Sequence, residues 1–179
     1  MKVKCSVYIA ASVDGFIAKP GGDIEWLLRP EYAVATMKGL RYDDFISTVD
    51  AIVMGRHSFE KALSFNRWPY ESMPVIVLSR KELAVPGYLK DTIRVLAGTP
   101  EQIVSRLESE GNSHLYIDGG ITIQRFLDAK MIDEITITRI PILLGGGIPL
   151  FSSFGSEQPL RLIEAVASDN GFVQERYAV

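Results

Sequence analysis

Asp50-Ala51-Ile52-Val53-Met54-Gly55-Arg56-His57-Ser58-Phe59-Glu60 decides the fold, because an apolar β-type run stops at a glycine and helical spacing starts at once. A buried strand feeding a glycine turn lets a ligand approach the backbone. The following helix start offers unpaired N–H groups and a partial positive charge. Arg56 adds a full charge and Ser58 a hydroxyl, which makes this a candidate cradle for a dinucleotide phosphate. Any α/β protein also contains strand–glycine–helix junctions, so the flanking sequence must decide between the two readings.

Upstream, Val3 to Ala11 reads as a buried strand that exits through Ser12-Val13-Asp14-Gly15. Residues 18 to 24 form a Pro- and Gly-rich loop. From Trp26 to about Val49 the spacing predicts one long or two broken helices, with Val34, Met37, Leu40 and Phe45 available to a core and Gly39 as a weak point. Downstream, a helix is expected over about His57 to Phe65, then a turn-rich link at Asn66 to Tyr70. Strands are expected at Pro74 to Arg80, Ile93 to Leu96 and His114 to Ile117. Thr99-Pro100-Glu101-Gln102 carries the residues of a capping box and opens a helix that ends near Gly111. After His114–Ile117, Asp118-Gly119-Gly120 leads into another helix and repeats the opening geometry.

The last third differs. Asp133 to Ile140, Leu160 to Ala167 and Phe172 to Val179 read as strands with no helix between them, and Asp169-Asn170-Gly171 is a hairpin signal. Alternating βα units followed by such a tail indicate an α/β fold, a mixed and mostly parallel sheet with helices on both faces. One domain over residues 1–179 is expected. The apolar residues from Ile135 to Leu144 would leave an exposed edge or face, for which a homodimer is the economical cover.

Composition excludes several classes. The net charge is −3 with no clustered Lys and Arg, which argues against a nucleic-acid surface. No run is long enough to span a membrane. One cysteine and two histidines cannot build a structural zinc site or a zinc deaminase, and no intrachain disulfide can form. With no targeting segment, the cytoplasm is the expected compartment.

Open α/β sheets bind ligands at the carboxyl ends of their strands. Gly55-Arg56-His57-Ser58 and Gly119-Gly120-Ile121-Thr122 could each aim N–H groups at a pyrophosphate, while Ser79-Arg80-Lys81 could reach an adenosine-side phosphate. No G-x-G-x-x-G follows the first strand and no Walker sequence occurs.

Taken in order, Ile9-Ala10-Ala11, the Trp26-to-Glu31 segment, Val53 to Glu60, Val77-Leu78-Ser79 and Gly119-Gly120 resemble the successive motifs of dihydrofolate reductase. Ser12-Val13-Asp14-Gly15, Asp50-Ala51-Ile52, Ile132-Asp133-Glu134-Ile135 and Leu143-Leu144-Gly145-Gly146-Gly147 are more similar still to the reductase domain of bifunctional riboflavin-biosynthesis proteins, which shares that fold. Two departures stand out. Asp118 replaces the Glu common before the paired glycines, and Tyr42-Asp43-Asp44-Phe45 replaces an arginine-bearing segment.

The resemblance implies a dihydrofolate reductase-like three-layer α/β/α domain acting as an NADPH-dependent reductase on a small heterocycle, usually as a homodimer. It places Arg56, Ser58, Ser79 and Arg80 on the adenosine 2′-phosphate side, Gly119, Gly120 and Thr122 at the pyrophosphate, and Ala10, Ala11, Ile17 and Ala18 along the nicotinamide. Gly55, His57, Leu78, Asp118 and Ile121 complete the implied cofactor site. Trp26, Glu31 and Asp14 are the implied active-site residues. It also implies unusual backbone at Gly119-Gly120, a cis peptide being the form it takes in that family. Two other readings are a dihydrofolate or pteridine reductase, and a protein that binds NADPH without turnover.

Overall fold

The computed structural model describes residues 2–33, 37–151 and 157–179, the side chains of Glu31 and Ala33 excepted. An eight-stranded sheet runs in the order β5-β4-β3-β6-β1-β7-β10-β9. Its strands are β1 (Lys4–Ser12), β3 (Ala51–Gly55), β4 (Val75–Leu78), β5 (Ile93–Leu96), β6 (His114–Asp118), β7 (Glu134–Ile140), β9 (Arg161–Ala167) and β10 (Val173–Ala178). Short strands β2 (Phe16–Ala18) and β8 (Ile148–Pro149) pair separately and antiparallel. The chain divides into two compact units, Met1–Ser6 with Thr48–Ile132, and Val7–Ser47 with Asp133–Val179.

The first unit is the parallel one. β4 pairs with β5, β3 with both β4 and β6, and β6 with the start of β1, all parallel. Parallel strands are covered on both faces, so their sequences run apolar without alternation, and Ile52, Val53, Met54, Val75, Val77, Leu115 and Ile117 are buried. Asp50 fixes the opening stretch at its start, its Oδ2 accepting from Ser113 N at 2.7 Å and His114 N at 2.9 Å. Helix α3 (Arg56–Leu63) joins β3 to β4, and α4 (Pro100–Ser109) joins β5 to β6 on the other side of β3. Right-handed crossovers put these two helices on opposite faces of the sheet. The expected capping box is present at Thr99 and Gln102. Helix α5 (Gly120–Asp128) buries Ile123, Phe126 and Leu127 and packs on β6 and β3.

The second unit is the antiparallel one, β7 pairing with β10 and β10 with β9. The hairpin signal is correctly placed, with Ser168 N donating to Phe172 O and Gly171 at φ +82°. Where helix was expected from Trp26 to Val49, the described residues form a 3-10 turn (Glu25–Leu27), α1 (Pro30–Ala33) and α2 (Tyr42–Ile46). Val34 lies outside the described residues. The break at Gly39 has a physical cause in the buried Gln174. Leu40 N donates to Gln174 Oε1 at 2.7 Å and Gln174 Nε2 donates to Leu40 O at 3.0 Å, so this backbone is satisfied by a side chain 134 positions away rather than by a helix. A Cβ on Gly39, at φ +96°, would come within 2.5 Å of that same Oε1. Tyr8 Oη also donates to Leu40 O, at 2.9 Å.

The apolar stretch from Ile135 to Leu144 is only partly exposed, at Leu143. Ile135, Ile137 and Ile140 are buried within their own unit, and the exposed apolar residues of the tail include Leu160, Leu162 and Ile163 on and beside the edge strand β9.

Gln174→Leu leaves the part-buried Leu40 amide without its acceptor and the Leu40 carbonyl with the Tyr8 hydroxyl but not the Gln174 amide, and is expected to destabilise the protein by about 1–3 kcal/mol in urea unfolding. An unchanged midpoint would mean that water replaces the amide fully.

Candidate cofactor-binding site

β3 and β6 lie side by side, yet the chain leaves β3 toward β4 and returns to β6 on the opposite flank. Such a reversal opens a crevice at the carboxyl ends of the two strands. Both of the glycine turns read from the sequence sit there. Met54 is registered against Asp118, and Gly55 against Leu78, so the ends of β6, β3 and β4 stand in a row.

The two turns interlock. Gly119 has φ +86° and ψ 135°, and a Cβ built on it would fall onto Ser58 Oγ. A Cβ on Gly55 would stand 3.0 Å from Thr122 Oγ1. Ser58 and Thr122 are each the third residue of their helix, so each helix's first turn rests against the glycine that introduces the other. The implied cis peptide is absent, since no cis bond occurs among the described residues; the backbone turns through the positive φ of Gly119 instead. No side chain caps α3 or α5, in contrast to α4 with its Thr99 capping box. First-turn N–H groups have no partner inside a helix. Two helix starts that face one crevice without caps therefore form an acceptor site for an anion.

The charged residues fall around this crevice as follows. Arg56 Nε donates to Glu60 Oε1 at 2.7 Å, the bond that most lowers the Glu60 carboxyl below its usual range. His57 is exposed, with Nδ1 3.7 Å from Glu60. Arg80 and Lys81 are exposed beyond β4, whereas Ser79 turns inward on its own loop, donating to Lys81 O and accepting from Lys81 N. Ile121 is exposed at the start of α5 and Thr122 is buried.

Asp118 lies at the end of β6, accepting from Tyr116 Oη at 3.3 Å and Tyr70 Oη at 3.5 Å. Burial pushes its carboxyl above the ordinary range, against hydrogen bonds from the Gly119 backbone and the two tyrosine hydroxyls that act the other way. Neither tyrosine was singled out in the sequence, nor was Trp68, which lies edge-on to Phe59 and Tyr70 with ring centroids 5.8 and 5.2 Å away. The aromatic density of Trp68-Pro69-Tyr70 was the available signal, and the turn residues around it masked it.

The remaining expected residues belong to the second unit. Ala11 and Ala18 are buried, and Ala10 and Ile17 half-buried, on β1 and β2. Asp14 is exposed and accepts from Ser12 Oγ at 2.6 Å, Gly145 N at 2.8 Å and Leu144 N at 3.1 Å. Ser12 contributes most to holding its carboxyl below the usual range. Asp14 thus ties the glycine loop at 145–147 to the exit of β1. Trp26 is buried, and its indole N–H has no hydrogen-bond partner among the described residues. Buried polar groups are rarely left unpaired, so this one is suited to a water or a ligand atom. The side chain of Glu31 lies outside the described residues. Among the described residues no group of three or more His, Cys, Asp or Glu could hold a metal ion, and no helix is long and apolar enough to cross a membrane.

Comparison with known proteins gives a consistent picture. Residues 4–174 match the RibD C-terminal domain family. The chain is 34% identical over 164 residues to the uncharacterized protein YwjB of Bacillus subtilis, covering 90% of each. A crystal structure of a provisionally named riboflavin biosynthesis protein from Shewanella sp. PV-4 is 38% identical, covers 98% of both chains and superposes with a TM-score of 0.86. Dihydrofolate reductase from Enterococcus faecalis, complexed with NADP(H), is 16% identical but has the same fold, with a TM-score of 0.62 over 99% of this chain and 97% of that one.

Gly119→Ala forces a Cβ onto Ser58 Oγ at a left-handed φ, and a loss of about 1–3 kcal/mol in thermal or urea unfolding is expected. Ser58→Ala in the same chain should return only part of it, because the φ strain stays. Full recovery would show that the clash alone excludes a side chain here.

Proposed function

The chain belongs to the RibD C-terminal domain family, and on that premise we propose that it is an NADPH-dependent reductase that delivers hydride to a small heterocycle of the riboflavin-pathway type. The observation that carries this reading is the pair of interlocked, uncapped helix starts at the β3/β6 reversal. In the proposal, the N–H groups around Gly55, Gly119, Gly120, Ile121 and Thr122 receive the pyrophosphate. Arg56, His57, Ser58, Leu78, Ser79 and Arg80 receive the adenosine 2′-phosphate. Ala10, Ala11, Ile17 and Ala18 line the nicotinamide, and Asp14, Trp26 and Glu31 serve the substrate side. The Trp26 indole N–H, unpaired among the described residues, supports its place there. The bound dinucleotide supplies the hydride, and the chain holds, orients and dries the reacting groups. A cytoplasmic location belongs to the same reading.

A spectroscopic assay of NADPH oxidation over aminopyrimidine and pteridine substrates tests it. Cofactor binding without oxidation of any of them would leave a binding protein in place of a reductase.

Cofactor choice follows from charge. A 2′-phosphate carries close to two negative charges, and guanidinium groups meet it with paired donors. NADPH is expected to bind more tightly than NADH, and Arg56→Ala and Arg80→Ala are each expected to weaken NADPH about tenfold, equivalent to about 1.4 kcal/mol, with little effect on NADH. The Arg56 change also leaves Glu60 unneutralised beside the phosphate, so its loss should be the larger. Fluorescence titration of both cofactors measures this, and equal wild-type affinities would count against the arginines' role.

The proposed quaternary state is a homodimer that covers the edge strand β9. Its apolar Leu162 and Ile163 lie where the pairing with β10 slips by a bulge, between partners Glu164 and Leu162. An uncovered apolar edge is a liability for a chain that acts alone. Light scattering at micromolar concentration should give a dimer mass, and a monomer mass for the double change Leu162→Lys, Ile163→Lys. A monomeric wild-type protein would remove the proposal.

A further inference from the structure

β9 reads Arg161-Leu162-Ile163-Glu164-Ala165-Val166-Ala167, with Leu160 just before it. It ends the strand order, so no strand pairs with its outer edge among the described residues. Every residue of it is exposed except the half-buried Val166. A strand covered on one face would alternate exposed with buried positions, and β9 does not. The bulge decides which of its residues share a face. Arg176 is paired with Glu164 and Tyr177 with Leu162, so Ile163 is the extra residue. On an unbroken strand Arg161 and Glu164, three positions apart, would point to opposite faces. Here Arg161 is opposite Ala178 and Glu164 opposite Arg176, two positions apart on β10, so both lie on one face. Leu162 and Ala165, opposite Tyr177 and Glu175, lie on the other.

We propose that β9 pairs antiparallel with β9 of a second copy of this chain, about a two-fold axis that passes between Leu162 and Ile163. Around an axis normal to the sheet a strand meets its own sequence reversed, and directly opposed residues must point to the same face. An unbroken strand can then oppose only positions an even number apart. One extra residue at the axis changes this to an odd number. The pairs become Arg161 with the partner's Glu164, Leu162 with the partner's Ile163, and Leu160 with the partner's Ala165. Each occurs twice, as an isologous contact requires. Charge meets opposite charge and apolar meets apolar in every pair, whereas a slip of one position sets Glu164 against the partner's Leu160 or the partner's Leu162. Glu164 has only a 4.0 Å contact with Arg176 in its own chain, and Arg161 has no ion pair among the described residues. Exposed ion pairs add little affinity. Their part in this contact is to choose the register, since like charges directly opposed are destabilising, while the apolar centre supplies the burial. The inference rests on the homodimer reading and deepens it by naming the contact; it does not depend on reductase activity.

Charge reversals in the full chain test it by sedimentation equilibrium. Arg161→Glu sets two carboxylates against each other at both ends of the contact, and Glu164→Arg sets two guanidinium groups there. Each variant alone is expected to dimerise at least about tenfold more weakly than wild type. Mixed in equal amounts, the two variants restore an opposite pair at both ends, and a heterodimer within about threefold of the wild-type affinity is expected, identified by native mass spectrometry from the mass difference of the chains. If Glu164→Arg fails to fold beside Arg176, cross-linking decides: chains with Leu162→Cys mixed with chains with Ile163→Cys should join on mild oxidation faster than either chain by itself. A dimer that Arg161→Glu leaves unchanged, a mixture without preferred heterodimer, or equal cross-linking of mixed and single chains would each overturn the register and leave the homodimer standing. A monomeric wild-type protein would overturn both, and the bulge would then be a device that keeps the edge from pairing.

Discussion

The first unit depends on two close approaches, one that excludes a side chain at Gly119 and one that leaves little room for one at Gly55. Gly119 faces the Ser58 hydroxyl and Gly55 faces Thr122, and these contacts hold the first turns of α3 and α5 close together at the ends of two adjacent parallel strands. The parallel sheet sets the spacing, the reversal of strand order opens the crevice, and the glycines let backbone rather than side chain line it. The uncapped N–H groups follow from the same arrangement. A serine or threonine in the capping position would close each helix start by itself, as Thr99 does for α4, and would occupy the donors that an anion needs.

The second unit is held by polar atoms reaching across long stretches of chain. Gln174 takes both backbone groups of Leu40, and Asp14 takes the amides of Leu144 and Gly145. Both side chains act as substitutes for regular backbone pairing at places where a glycine or a bend interrupts it. Asp14 thereby has a structural explanation that is complete without a ligand. Trp26 does not, since its N–H lacks a partner among the described residues.

The parallel half was legible because its signals are local. Continuous apolar runs, a glycine at each strand end and a capping box state their structure within a few residues, and Gly55 and Gly119 lie at neighbouring strand ends as two copies of one pattern should. What was not legible depended on distant partners. Gly39 marks a weak point between one long or two broken helices, but nothing near it announces that Gln174 will take the hydrogen bonds there. The apolar spacing of Ile135, Ile137 and Ile140 could not reveal that their own unit covers them while Leu162 and Ile163 stay open. The family motif was read onto Gly119-Gly120 as a cis bond, but a positive φ gives the needed turn here. Tyr70 and Tyr116 were missed because a strand position and a turn position, 46 residues apart in the numbering, meet only through Asp118.

The division of the chain also bears on how it leaves the ribosome. The first unit is almost one continuous segment, Thr48–Ile132, lacking only the few residues of Met1–Ser6, while the second is assembled from Val7–Ser47 and Asp133–Val179. Closing contacts across so many intervening residues carries a loop entropy that local contacts avoid, and non-local topologies fold more slowly for that reason. During synthesis the residues from Val7 to Ser47 emerge before their partners and must wait, with Leu40 and Asp14 without those contacts, until Leu144 and then Gln174 have been made. The middle segment has no such wait beyond the opening strand that is already out. A nascent chain should therefore hold an ordered parallel core while its earliest residues are still without partners, and this interval is when a chaperone would have most to cover.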